Sequence, residues 1–390
     1  MRKIKILIVL EATLGGIRKH VIDLLLGLDK NKFDIIFAYS LNRADNKFID
    51  DLIELKSTDI SLYELNMVRE INPLVDFRSF VALARLFLKE RPDILHLHGA
   101  KAGALGRFLG IFLSSGVVYT PHGGSYHLFN GFKGKAYYFI EKFLSFKKFH
   151  YIGVSNDSVK KINLITKNPT NTHLVYNGIE PALNCKKKFM EITKNQNNDS
   201  LLVLFPALFM AAKGHLDFIS AFYHHPSPLK FKIKIILAGD GPLMATIKNS
   251  IHNYGLNDNF EFVGFVNRMD IYYEKCDVVI LPSKSEVFGY VLLESMSFGK
   301  PIIATNIDAI PELIVPGFNG ELIDKNILND MIDKLIYYSF NKKILFEMGR
   351  NSKKYVEDNF SLIRMIDLTQ QIYCQSLHIE KNRKRLENIL

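Results

Sequence analysis

The amino-acid sequence predicts an α/β protein made of two doubly wound parallel-sheet domains. Its 390 residues exceed what one ordinary hydrophobic core organises. Short apolar runs alternate with stretches of helical period along most of the chain, and such alternation implies parallel strands with helices on both faces. The alternation lapses once, in the polar, asparagine-rich residues 185–200, and then resumes.

In chain order, "KIKILIVL", "FDIIFAYS", "DILHLHG", "GVVYTPHG", "YIGVS" and "THLVYNG" read as strands. Between them "RKHVIDLLLGLDK", "LVDFRSFVALARLFLKE" and "AGALGRFLGIFLS" carry apolar residues at three- and four-residue spacing and read as helices. Beyond the lapse, "LLVLFPA", "KIKIILAG", "FEFVG", "DVVILPS" and "KPIIAT" read as the strands of a second sheet. This gives a first domain over 1–184, a linker over 185–200, a second domain over 201–359, and a C-terminal helix with a basic tail over 360–390. The tail "EKNRKRLENIL" reads as a solvated end in preference to a nucleic-acid arm. Two such domains leave a cleft between them, and ligands of open parallel sheets bind at the carboxyl ends of the strands.

Apolar residues make up 48% and charged residues 23%, a soluble balance. No stretch of eighteen uncharged apolar residues occurs, and the opening apolar run "ILIVL" suits a first buried strand better than a secretion signal. Three scattered cysteines form no disulfide framework and no zinc spacing, which fits a reducing cytoplasm. A net charge of +10 points to anionic company without choosing it. The basic residues are scattered, so nucleic acid is not expected as a partner.

The stretch "SEVFGYVLLESMSFGKPIIAT" puts Glu286 in the loop after an apolar strand and Glu294 in the second turn of the next helix. Phe288 and Gly289 stand where that helix begins. Backbone N–H groups of a helix's first turn, with the helix dipole, make an anion site, and Gly289 lets a phosphate approach the backbone. The plainer reading is a capping acid and a surface acid. Lys213, in "AAKGH", stands at a helix start, where a cation opposes the dipole unless an anionic ligand offsets it.

These residues carry a resemblance. "EVFGYVLLE", with "SMSFGKPIIAT" and "IPELI" after it, resembles the donor-site signature of retaining family 4 glycosyltransferases, which have the two-domain GT-B fold. "EATLGGIRKHV", "AGDGPL", "FEFVGFV" and "PGFNGELI" agree with it. The resemblance implies a donor that is a nucleotide-diphosphate sugar, UDP- or GDP-linked. It implies that the amides of Phe288, Gly289, Tyr290 and Val291 hold the diphosphate, that Glu294 binds the ribose, and that Glu286 lies beside the transferred sugar. Lys213 then neutralises the leaving phosphate. The loop with Gly15 and Gly16 comes close to donor phosphate and acceptor, although a tight strand-to-helix turn explains the two glycines equally well. His122 matches a position that contacts the donor sugar, and His98 and Lys101 follow a strand end where they can touch the acceptor. The first domain then binds the acceptor and the second the nucleotide sugar. The family usually places an arginine a few residues before the lysine; here Ala207 or Leu208 stands there, with Arg268 or Lys284 as substitutes, and Asp308 and Ala309 replace two glycines.

His96 and His98 alternate on a strand, and with His122 and His127 they raise the question of a metal. No cysteine or carboxylate set accompanies them, and no Asp-x-Asp pair is present, so the expectation is a metal-independent enzyme without cofactor. Residues 131–150, read as a helix, bring Tyr138, Phe139, Lys142, Phe143 and Phe146 to one side. That face suits an anionic membrane surface and a buried core equally well.

The reading is a retaining transferase that moves a sugar to an acceptor hydroxyl on a glycan or lipid-linked precursor of capsule, exopolysaccharide or lipopolysaccharide. It would work in the cytoplasm, at the inner face of a bacterial membrane. The alternatives are a non-catalytic sugar-nucleotide-binding subunit, which the missing arginine favours, and a nucleotide-sugar epimerase.

Overall fold

The computed structural model describes residues 2–123, 131–146, 149–182 and 200–387, with side chains described as far as residue 377. The described chain divides into two compact units, residues 1–178 with 362–390, and residues 179–361.

The first unit holds a seven-stranded sheet in the order β3-β2-β1-β4-β5-β6-β7. Its strands are β1 (Ile4–Leu10), β2 (Phe33–Tyr39), β3 (Ser61–Glu64), β4 (Ile94–His98), β5 (Gly116–Thr120), β6 (His150–Gly153) and β7 (Thr172–Leu174). Every neighbouring pair is parallel; β1 sets Ile6 against Ile94 and Leu10 against His98. The crossovers are α1 (Gly15–Gly27), α2 (Asn46–Lys56), α3 (Pro73–Glu90), α4 (Ala100–Ile111), α5 (Gly131–Leu144) and α6 (Asn156–Thr166).

Alternation along β1 shows why these runs are so apolar. Ile6, Ile8 and Leu10 enter one core with Val21, Leu24 and Leu25 of α1. Leu7 and Val9 enter the other, with Leu83, Leu86 and Phe87 of α3. A sheet covered on both faces needs apolar side chains at every position.

The second unit holds a six-stranded sheet in the order β10-β9-β8-β11-β12-β13. Its strands are β8 (Leu201–Pro206), β9 (Ile233–Ala238), β10 (Phe260–Gly264), β11 (Val278–Leu281), β12 (Ile302–Thr305) and β13 (Gly320–Ile323), again all parallel. Its helices are α7 (His215–His224), α8 (Met244–Asn253), α9 (Asp270–Lys275), α10 (Tyr290–Ser297), α11 (Leu328–Phe340) and α12 (Lys342–Asn359).

Three differences from the sequence reading have physical causes. The edge strands β3 and β13 are short and half exposed, so neither shows an apolar run. The helix expected over 131–150 stops at Leu144, and His150 already begins β6. The C-terminal helix α13 (Leu362–Glu387), set apart in the sequence as its own segment, packs on the first unit. Its Met365, Ile366, Ile372 and Tyr373 join the core beneath α1, each worth ~1.5–3 kcal/mol when fully buried. A Cβ on Gly27 would lie 2.1 Å from Ile366 Cδ1, so the Ile366 side chain packs directly on the α1 backbone at this point.

Candidate functional site

Both sheets reverse direction once. In the first unit the strand order turns between β1 and β4, in the second between β8 and β11. Outside the carboxyl ends of the strands at such a switch point, neighbouring loops diverge and leave a ligand crevice. Gly15, Gly16, Lys213, Glu286, Phe288 and Gly289 fall where the chain leaves strands at these two points, while His122 follows β5 and Glu294 lies within α10.

In the second unit, Lys213 ends a 3-10 turn, Ala211–Lys213, after β8, and Glu286 lies in the loop after β11. The two loops are stitched together. The Lys284 N–H donates to the Ala212 carbonyl at 2.8 Å. Gly214, at φ +76°, lies so close to the Pro282 carbonyl that a Cβ there would stand 1.9 Å from its oxygen. Glu286 Oε2 then accepts from Lys213 Nζ at 2.5 Å, with both side chains largely shielded from solvent.

Gly289 is the N-cap of α10, at φ +80° and ψ 78°, a left-handed conformation that glycine adopts without steric cost. No side chain caps this helix and its first turn holds no acid. A helix start directs N–H groups outward along its axis, and the loop that carries Glu286 leads directly into this one. Phe288 is buried against Phe360 with ring centroids 5.9 Å apart, which anchors the turn, and Tyr290 is buried behind it. Val291 is half-buried. Glu294 Oε2 accepts from the Tyr273 phenol at 3.2 Å. Burial, with the Glu294 carboxylate beside it, holds that phenol well above its usual range, so it stays a donor.

Asp308, at φ +44°, replaces a glycine of the family pattern and gains a function in the loop. Its Oδ2 accepts from the Glu286 N–H at 2.9 Å and from Ser285 Oγ at 3.2 Å. Neither proposed arginine substitute joins Lys213. Arg268 is exposed and forms a fork with Asp270, closest approach 2.6 Å, while Lys284 pairs with Asp217 at 2.7 Å.

In the first unit, Gly15 at φ +58° and Gly16 form the first turn of α1, whose N-terminus also lacks a side-chain cap. The Gly15 N–H donates to Asp45 Oδ2 at 3.3 Å. His98 ends β4, and His122, at the left-handed φ of +50°, follows β5. His98 Nδ1 and His122 Nε2 lie 3.0 Å apart. A residue that the sequence reading missed, His20 of α1, completes this cluster: its ring centroid is 4.7 Å from that of His122, and its Nδ1 is 2.8 Å from Asn177 Oδ1. Burial lowers all three imidazoles, His20 to about 4 and the other two well below their usual value, so they are neutral at pH 7.

His96 belongs to the core: its ring nitrogens meet Tyr373 Oη at 2.6 Å and Thr120 Oγ1 at 2.9 Å. Lys101, expected to touch the acceptor, is turned inward. Its ammonium is 2.6 Å from Asp76 Oδ1 and donates to the Glu70 carbonyl at 2.8 Å. His127 lies outside the described residues.

Helix α5 buries one side against the first unit and leaves aromatic side chains of the other exposed. Glu141 is buried and pairs with the fully buried Arg107 at 2.7 Å. Phe139 (66%) and Phe143 (65%) stay exposed, as does Phe146 (80%) just past the end of the helix. With Phe77, Phe80 and Phe108 of α3 and α4, residues of α5 line an apolar hollow of about 600 Å³. Among the described residues no helix is long and apolar enough to cross a membrane.

Two family models match the chain. "Glycosyltransferase Family 4" covers residues 14–183, and "Glycosyl transferases group 1" covers residues 186–355. The UDP-Gal:alpha-D-GlcNAc-diphosphoundecaprenol alpha-1,3-galactosyltransferase of Escherichia coli is 26% identical, over 95% of this chain and 97% of its own. The capsular polysaccharide biosynthesis glycosyltransferase CapM of Staphylococcus aureus is 26% identical over 79% and 83%. Among solved structures, Anabaena HepE in complex with UDP-glucose superposes with a TM-score of 0.74 at 19% identity, covering 94% of this chain and 98% of that one. WaaG, a glycosyltransferase involved in lipopolysaccharide biosynthesis, gives 0.72 at 14%, over 95% and 99%. With family models on both halves and this fold throughout, the chain belongs to glycosyltransferase family 4 and is a glycosyltransferase of the GT-B fold.

Proposed function

We propose that the protein is a retaining glycosyltransferase that takes its sugar from a UDP- or GDP-linked donor and delivers it to a hydroxyl of a lipid-linked glycan. One observation carries this reading: the Lys213–Glu286 pair stands at the β8/β11 switch point, and Glu286 lies on the loop that leads into the start of α10, which no side chain of its N-cap residue caps. A cation and a set of aligned amides on neighbouring loops suit a diphosphate whose charge grows as the glycosidic bond breaks.

In this reading the bond from the anomeric carbon to the β-phosphate oxygen breaks, and the acceptor oxygen bonds to the same face of the sugar. The acceptor proton passes to the departing phosphate oxygen. Lys213 and the amides of Phe288 to Val291 hold the departing charge. Glu286 orients the sugar and Glu294 accepts from the ribose hydroxyls. On the first unit, the loop with Gly15 and Gly16 comes close to donor phosphate and acceptor, His122 contacts the sugar and His98 the acceptor. The polyprenyl-linked acceptor in the name of the Escherichia coli relative supports a lipid carrier. The exposed aromatics of α5, beside Lys142, support docking on an anionic membrane.

A thermal-shift screen with UDP, GDP and ADP and their sugars tests the donor. The matching base raises Tm, and Glu294→Ala abolishes the rise. Glu286→Ala keeps the rise and loses turnover. A non-catalytic binder would show the shift with no hydrolysis of any nucleotide sugar, and an epimerase would convert donor with no acceptor present. Membrane docking is checked by sedimentation with vesicles containing phosphatidylglycerol, where Phe143→Ser with Phe146→Ser should leave the protein in the supernatant.

A further inference from the structure

We propose that His20, His98 and His122 form a binding site for a divalent transition-metal ion of the zinc class, held by three imidazoles with a fourth position open. One ring nitrogen from each residue lies within 4.8 Å of the other two. Tetrahedral coordination at the usual zinc–nitrogen length sets ligand nitrogens about 3.3 Å apart. His98 Nδ1 and His122 Nε2 already stand at 3.0 Å. Only the His20 ring has to close in.

One further feature fits a metal better than a satisfied core cluster. Asn177 Oδ1 engages His20 Nδ1, which sets Nε2 free to coordinate, the outer hydrogen bond that metal-bound histidines usually make. The histidine anticipated from the sequence, His96, takes no part because Tyr373 and Thr120 occupy both its nitrogens. The other paired histidines, His150 and His173, stack at 5.3 Å but belong to no such three-ligand group among the described residues.

If His122 contacts the sugar, as proposed above, a metal here immobilises it and lowers turnover. That consequence rests on the functional reading, whereas metal binding does not.

The test adds Co²⁺ to the full-length, metal-free chain and follows visible absorption. One equivalent should produce the intense band of four-coordinate cobalt, and Zn²⁺ should displace it. His20→Gln should remove the band with the far-UV circular dichroism unchanged. Asn177→Ala should weaken affinity about 10- to 100-fold, and decides the matter if His20→Gln fails to fold. His173→Gln should leave the band intact. The proposal is overturned by the absence of a four-coordinate band in the parent protein, by a band that survives His20→Gln, by unchanged affinity in Asn177→Ala, or by loss of the band in His173→Gln. A chain that binds cobalt as described and transfers no sugar would overturn the functional reading alone.

Discussion

Lys213 Nζ lies 2.5 Å from Glu286 Oε2 across 73 residues of chain, and the pairing joins the loops after β8 and β11. Each side chain offsets the charge of the other. A diphosphate at the start of α10 would compete with Glu286 for the ammonium, leaving that carboxylate for the sugar hydroxyls.

Lys213→Ala should therefore lower turnover about 10²- to 10³-fold, the loss typical of removing one donor from a developing anion. The glutamate left behind is then unpaired and repels phosphate, so nucleotide affinity should fall as well. Steady-state rates and the nucleotide-induced Tm shift measure the two effects separately. Parental rates in this variant would remove Lys213 from the mechanism.

Asp308 holds the Glu286 loop from the opposite side, through the Glu286 N–H and Ser285 Oγ. Hydrogen bonds to a charged acceptor contribute ~1.5–3 kcal/mol. If that energy serves to position Glu286, Asp308→Ala should cut kcat about 10- to 100-fold with little change in nucleotide affinity. Asp308→Asn keeps one carbonyl acceptor and should recover part of the loss. Equal falls in kcat and in nucleotide binding would argue against a positioning role.

His215 stacks on Phe205 at 4.0 Å and 5°, with both ring nitrogens buried and unpartnered. Burial, with the Lys213 charge nearby, lowers its pKa to about 4. The unfolded chain takes up this proton near pH 6.5, so the stability is complete above pH 6.5 and is lost as pH falls towards 4. The full loss is about 3 kcal/mol. His215→Phe keeps the stack and should flatten this part of the pH dependence, so urea unfolding at pH 4.5 and 7.5 should show a larger gain at the lower pH. An equal gain at both would refute the titration argument.

Arg107 and Glu141 are buried together at 2.7 Å, with the Tyr119 phenol 3.2 Å from the other carboxylate oxygen. Breaking a buried pair by removing one partner costs ~3–5 kcal/mol, because the remaining charge has no solvent. Glu141→Ala should lower the unfolding free energy by that much. Arg107→Met with Glu141→Leu should cost less than either single change, as measured by denaturant titration.

The architecture was legible in the chain because a sheet buried on both faces writes itself as apolar runs, and nothing but parallel crossovers joins such runs through helices. The loop after β11 was legible for a similar reason. Glu286, Gly289 and Glu294 sit within nine residues of one another, and a left-handed N-cap needs only a glycine in the right place. The short edge strands β3 and β13 were not, since half-exposed strands need no apolar pattern. Nor was the anchoring of α13, whose apolar positions fit any covering surface. Lys213 against Glu286, Asp308 against the Glu286 amide, His20 beside His98 and His122, and Lys101 turned towards Asp76 all depend on strand order. Periodicity is a property of neighbours in sequence, whereas which loops meet at a switch point follows from how the sheet is wound. That winding brings distant side chains within hydrogen-bond reach, and only the packed structure specifies it.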